Sequence, residues 1–210
     1  MNIVVFGASG ATGREIVAQG IQQGHTVRAF VRTPGKLTLT HQRLTVAAGD
    51  ITDPRAVERA VGGRQAVLFA LGAANPVPPY PPLTEGLRSL LHAMGLAAVH
   101  RLIYLSSNAV SASRQHAGLV ARHLAWRLLN GATTDHEANE HAIMQSRLDW
   151  TIVRAPKLTN GAHTGRVRSG EQEQARWPIQ LLSRADVADV MLRQLMDTTF
   201  VRKAANVFPA

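Results

Sequence analysis

The sequence predicts an α/β fold: a doubly wound parallel sheet with helices on both faces. Three observations predict it. A short apolar run, Ile3 to Phe6, ends in glycines spaced by three, Gly7, Gly10 and Gly13, and a helical pattern follows with Ile16, Val17, Gly20 and Ile21 on one side. Strand-like runs then recur between helix-like stretches along the whole chain. One of them, Ala66 to Leu71, is an unbroken apolar run of the kind buried on both faces in a parallel sheet.

The first element carries the most chemistry. Gly7 lets the chain turn off the strand where a Cβ would clash. Gly10 lets the backbone approach a ligand closely, and Gly13 lets the helix pack against the strand. The helix then aims its free N–H groups and positive dipole end at the turn, a ready site for phosphate. Strand, glycine turn and helix together form the phosphate-binding corner of a dinucleotide fold. Ser9, Ala11, Thr12 and Arg14 surround that corner, and Ser9, Thr12 and Arg14 add hydroxyl and cationic contacts. The alternative is a glycine-rich turn without a ligand.

The second strand is Thr26 to Val31, followed by Arg32-Thr33-Pro34-Gly35-Lys36. A carboxylate at this strand end would accept bonds from a ribose 2′-hydroxyl and favour NAD. Arg32 stands there instead, with Thr33 and Lys36 nearby, so a 2′-phosphate fits better and NADP (NADPH) is expected over NAD. Leu44 to Ala48 is the third strand. Asp53 then caps a helix with Pro54 at its first position, and Gly62-Gly63 ends it. Asp50 and Ile51 lie where an adenine would rest, Asp50 bonding its amino group and Ile51 covering the ring. Equally, Asp50 is a turn residue bonding its own backbone.

The fourth strand ends in Gly72-Ala73-Ala74, small residues that let the ribose and phosphate side of the cofactor lie against the backbone, and Leu71, Gly72 and Ala73 are expected to contact it. The stretch Asn75 to Pro82 is proline-rich and extended, either a rim with Tyr80 as an aromatic contact or a rigid connector. Thr84 is expected to cap a helix running to about His100. Arg101 to Leu105 is the fifth strand, and Ser106 and Ser107 follow it at the nicotinamide end of the cleft. They either bond a substrate or cap the next segment. Residues 111–131 are helix-prone and basic. A helix from Asp135 to Gln145 carries His136, Glu140 and His141, which lack the His-Glu-x-x-His zinc pattern and read as surface residues, so no metal is expected. Asp149 to Arg154 is the sixth strand, with Lys157 and Thr159 beyond its carboxyl end. Arg166 to Gly170 reads as a short strand in an annex, Ile179 to Ser183 as another, Ser183 as a helix cap and Ala204 to Phe208 as the last strand.

Composition bounds the rest. The chain of 210 residues with 45% hydrophobic content suits one domain, 1–210, with a substrate-side annex formed mainly by about residues 155–185. It has no cysteine, which excludes disulfides and thiolate chemistry. The formal charge is +9, but the basic residues are scattered and aromatics are only 5%, so no nucleic-acid partner is expected. No apolar run is long enough to span a bilayer, and the first strand begins at Ile3, so no membrane partner and a cytoplasmic setting are expected. A monomer or homodimer is expected.

Several of these segments together resemble the atypical short-chain dehydrogenases/reductases of the NAD(P)H-binding group, which includes the flavin reductase/biliverdin-IXβ reductase type and the NmrA-like proteins. They are Gly7-Ala-Ser-Gly-Ala-Thr-Gly13, Val31-Arg32, Gly49-Asp50, Tyr104-Leu-Ser-Ser107, Leu148 to Arg154 with Leu158 to Gly161, and Ser183-Arg-Ala-Asp-Val-Ala188. The resemblance implies a Rossmann-type fold over nearly the whole chain. It also implies an NADPH-dependent oxidoreductase passing hydride to a planar small-molecule acceptor such as a flavin or quinone. Ser107 matches a serine that follows the fifth strand in biliverdin-IXβ reductase, and Lys157 stands where that protein has a histidine. These two are the expected catalytic residues, Ser107 orienting the acceptor and Lys157 stabilising developing negative charge, with Ser106 beside the cofactor. The Tyr-x-x-x-Lys pair of the main dehydrogenases is missing, since neither Tyr80 nor Tyr104 is followed by Lys four residues on. That counts against a sugar-nucleotide epimerase-like activity and leaves an NADP(H)-sensing, NmrA-like binding protein as the alternative.

Overall fold

Ile3, Val4, Val5 and Phe6 are fully buried, and their strand is the centre of the molecule. The structure is a computed structural model and describes residues 1–72, 80–110, 133–176 and 180–210. In chain order the elements are β1 (Asn2–Phe6), α1 (Ala11–Gln22), β2 (Thr26–Val31), β3 (Leu44–Ala48), α2 (Pro54–Val61), β4 (Ala66–Phe69), α3 (Pro81–Leu96) and β5 (Arg101–Ser107). There follow α4 over residues 133–144, then β6 (Asp149–Ala155), β7 (Lys157–Thr159), β8 (Val167–Gly170), β9 (Leu181–Ser183), α5 (Arg184–Arg193) and β10 (Lys203–Pro209).

Eight strands form one sheet in the order β3-β2-β1-β4-β5-β6-β10-β8, and β7 and β9 form a separate parallel pair. Every pairing in the large sheet is parallel except β10 with β8. The strand order reverses between β1 and β4, which creates a crevice beyond their carboxyl ends. This is the expected doubly wound α/β architecture. One face packs α1 and α5 through Ile16, Val17, Ile21, Val187 and Met191. The opposite face packs α2, α3 and α4 through Val57, Leu87, Leu90, Met94 and Ile143.

On that second face Phe30, Phe6, Phe69 and Tyr104 lie in one register row across four strands. Successive ring centroids are 4.7, 6.1 and 5.5 Å apart. Each such pair contributes about 0.5–1.5 kcal/mol beyond its area burial. The row therefore stiffens the sheet one residue below the glycine turn.

Three elements differ from expectation. The helix expected to start at Thr84 and run to about His100 is α3, which starts at Pro81, has Tyr80 as its N-cap and ends at Leu96. Proline is at home in the first turn, where its missing N–H costs nothing, and Thr84 is buried inside the helix. The segment Arg166 to Gly170 is not part of a separate annex. Its strand β8 closes the main sheet as an antiparallel edge on β10. His136 and Glu140 leave the surface for the interior, as described below. The expected helical stretch 111–131, most of the proline-rich stretch and Ala73 lie outside the described residues.

Candidate functional site

The glycine turn is built by steric exclusion. Gly7 sits at φ +85°, and a Cβ there would lie 2.7 Å from the backbone carbonyl of Ala70. The turn therefore touches the end of β4 and closes the base of the crevice. A Cβ on Gly13 would lie 2.0 Å from the Gly7 carbonyl oxygen, so α1 packs hard against the turn. Gly10 is exposed and is the N-cap of α1, with no side chain capping it. The first helical bond is donated by the N–H of Arg14 to Gly10. The amides of Ala11, Thr12 and Gly13 thus make no intrahelical bond and face the end where the helix dipole is positive. The Arg14 Nε donates to the Ser9 carbonyl at 3.0 Å, folding a guanidinium along the turn. This cradle offers free backbone donors and a positive dipole end to a pyrophosphate, so the residues present fit a dinucleotide.

The flanking strand ends place the other expected contacts on the same edge. Arg32 and Lys36 are exposed beyond β2. The amide of Gly49 donates to the Val31 carbonyl, which joins the β3 end to the β2 end. Asp50 accepts from the Thr52 amide at 3.0 Å and from its hydroxyl at 2.8 Å. Those bonds, with Arg32 nearby, hold its carboxyl below the usual range. Of the two roles open for Asp50, the turn role is the one its bonds display. Ile51 packs on Gly86 of α3, where an added Cβ would come within 2.5 Å of it. Leu71 is half-buried and Gly72 exposed past β4.

On the far side of the crevice, β5 and β6 run in register to Ser107 opposite Ala155. The Ser107 hydroxyl oxygen accepts from the Ala109 amide at 3.2 Å and stays half-exposed. Lys157 is exposed two residues beyond that level. Ser106 does not join them, and this corrects its expected place beside the cofactor. Side chains alternate along a strand, so Ser106 turns inward and donates to Glu140 at 2.6 Å, with only 4% of the residue exposed.

Glu140 is the centre of a buried polar network that sequence reasoning missed. It pairs with Arg154 through two guanidinium nitrogens, the closer at 2.6 Å. Removing one partner of such a pair costs about 3–5 kcal/mol, because the other charge is left buried alone. Beside it, the Tyr104 hydroxyl lies 2.8 Å from His136 Nδ1 and accepts from Asn139 at 3.1 Å. Burial pushes the Tyr104 phenol upward and the His136 imidazole downward. Asp135, also buried, accepts from the Tyr80 amide at 2.8 Å and ties α4 to the start of α3. The signal for this network was Arg154 directly after the apolar Ile152-Val153 of β6, since a cation buried there requires a carboxylate partner.

A family profile described as NAD(P)H-binding matches residues 7–198. The chain belongs to that NAD(P)H-binding family. It has the fold of the atypical short-chain dehydrogenases/reductases that its motifs resemble. It is 30% identical over 152 residues to the (4-alkanoyl-5-oxo-2,5-dihydrofuran-3-yl)methyl phosphate reductase of Streptomyces griseus, covering 72% of this chain and 46% of that protein. The chain spans about a third of the length of the first curated relatives it matches. Among solved structures, an anaerobilin reductase from Escherichia coli O157:H7 superposes with a TM-score of 0.81 at 20% identity, covering 100% of this chain and 97% of that one. A short-chain dehydrogenase/reductase from Veillonella parvula, solved in complex with NADP, superposes at 0.78 with 19% identity, covering 99% and 94%. Among the described residues no helix is long and apolar enough to cross a membrane.

Proposed function

We propose that this chain is an NADPH-dependent reductase that passes hydride to a planar, electron-poor small molecule such as a flavin or quinone. The observation that carries the proposal is the glycine turn at the sheet's switch point: its Cβ positions are sterically closed, and the end of α1 is uncapped. Gly7, Ser9, Gly10, Ala11, Thr12 and Gly13 hold the pyrophosphate in this reading. Arg32 and Lys36 take the 2′-phosphate, Ile51 and Asp50 border the adenine, and Leu71 and Gly72 line the ribose side. When bound, the reduced nicotinamide supplies the hydride, and a solvent proton completes the two-electron reduction of the acceptor. The protein then needs little beyond orientation. Ser107 offers a hydroxyl to the acceptor edge, and Lys157 opposes negative charge developing on it. The reductase relatives support this class of reaction.

A second reading fits the same nucleotide site. Tyr104 is buried with its hydroxyl held by His136 and Asn139, so it supplies no acid to the crevice. A redox-sensing binding protein needs none. NADPH oxidation with FMN and with a small quinone, run beside an NADPH titration, separates the two. Turnover with tight binding supports the reductase; tight binding with no turnover on either acceptor moves the assignment to the sensor.

A further inference from the structure

The loop from β3 to α2, residues 49–53, is held on three sides. At its start the Gly49 amide donates to the Val31 carbonyl at 3.0 Å. A Cβ on Gly49 would lie 2.7 Å from the Phe30 ring and 2.8 Å from the Ala56 Cβ, so β2 and α2 leave this end no slack. Within the loop, the Asp53 amide donates to the Asp50 carbonyl at 3.1 Å, and the Thr52 amide donates to the Asp50 carboxylate at 3.0 Å. Asp53 then caps α2 by accepting from the Arg55 amide at 3.0 Å. Arg32, just past β2, lies close enough to help hold the Asp50 carboxyl below its usual range. The loop therefore stands beside the residue expected to take the 2′-phosphate.

The third side is α3. Gly86 is buried in the second turn of this helix. Glycine is the least favoured residue in a helix interior after proline, so its presence there marks a steric demand. A Cβ on Gly86 would lie 2.5 Å from Ile51 Cγ1, 3.1 Å from its Cγ2 and 2.9 Å from its carbonyl oxygen. A rotamer change can move the two Cγ atoms. The carbonyl moves only with the loop backbone, which the contacts to β2 and α2 fix. Ile51 is half-buried and packs on the α2–α3 core, so a side chain at position 86 would drive it away from α3. Ile51 and Asp50 would then shift together, since they are adjacent in one tight turn.

We propose that Gly86 is a positioning residue for the nucleotide: by lacking a side chain it sets where Ile51 stands, and so how the adenosine half fits. This rests on the nucleotide site of the reductase reading and needs no turnover. The full-length protein is titrated with NADPH by fluorescence, and two fragments are then used to displace it. Adenosine 2′,5′-bisphosphate carries the adenosine half and nicotinamide mononucleotide the other. In Gly86→Ala, NADPH and the bisphosphate are expected to bind about tenfold more weakly, the scale of one overpacked carbon. The mononucleotide keeps its affinity, whereas a general loss of folded protein would weaken all three ligands alike. Ile51→Ala supplies the rescue, because it removes both Cγ atoms from the contact. It weakens the bisphosphate by itself, and adding Gly86→Ala to it has little further effect, a non-additivity that reports the contact. Should Gly86→Ala fail to fold, Ile51→Ala must restore its folding and must alone weaken the bisphosphate but not the mononucleotide. Equal weakening of all three ligands, an unchanged bisphosphate affinity in Gly86→Ala, or a loss that persists undiminished in the Ile51→Ala background overturns the proposal. Failure of NADPH to bind the unaltered chain removes the nucleotide site and the proposal with it. Tight NADPH binding with no oxidation by FMN or a quinone would leave the role of Gly86 standing and sink the reductase reading.

Discussion

Gly13 leaves 2.0 Å between its missing Cβ and the Gly7 carbonyl oxygen, so its neighbour is backbone and cannot rotate away. Gly13→Ala is expected to open the turn, destabilise the fold by about 2 kcal/mol or more and abolish NADPH binding. Urea unfolding and a nucleotide titration read the two effects separately. His136 makes a different kind of prediction. Burial lowers its pKa from the ordinary 6.5, against the opposing pull of Glu140 and Asp135. Above pH 6.5 the imidazole is neutral folded and unfolded, and its contribution is fully present. As the pH falls below that value the unfolded chain takes up the proton first, and stability is lost until the lowered folded pKa is passed. His25, lowered by burial and by the adjacent N-terminal ammonium, acts in the same direction. The urea midpoint should therefore drop between about pH 7 and pH 5, with a shallower drop in His136→Gln.

At the scale of elements, α5 is held by its own first turn. Ser183 caps it by accepting from the Asp186 amide, and Asp186 in turn anchors the loop before β8 through Thr164 and Gly165. Asp186→Ala is expected to cost about 2–3 kcal/mol, the value of charge-assisted bonds lost from a buried carboxylate. Amide exchange at Thr164 and Gly165 should quicken more than exchange in β1. The Ser183 cap was legible in the sequence, as was the Asp53-Pro54 start of α2, because capping is written within three or four residues. The parallel strands were legible for the same reason: short apolar runs between turn signals are local. The start of α3 was not, since both Pro81 and Thr84 satisfy a helix-start rule and tertiary contacts decide between them. The burial of α4 was hidden as well. His136 and Glu140 look like surface residues until Tyr104, Ser106 and Arg154 are brought beneath them, and those partners come from two other strands. The antiparallel edge β8 was equally out of reach, because its partner β10 begins more than thirty residues later.

Across the whole molecule, the reversal of strand order between β1 and β4 gathers the glycine turn, Arg32 and Ser107 at one edge of a single sheet, with Lys157 two residues beyond the end of β6. The aromatic row below the turn and the Glu140 network under β5 and β6 hold that edge in place from the α2–α3–α4 face. The net charge of +9 suits an anionic cofactor and acceptor. On the proposed reading this edge binds NADP(H) on the Gly7 to Gly13 turn, with Arg32 on the 2′-phosphate. Its most direct test is a paired titration of NADPH and NADH into the full chain and into Arg32→Ala. NADPH is expected to bind about tenfold or more tightly than NADH, with that advantage lost in Arg32→Ala while NADH affinity is retained. Failure of both nucleotides to bind the unaltered chain would rule out the glycine turn as a dinucleotide site.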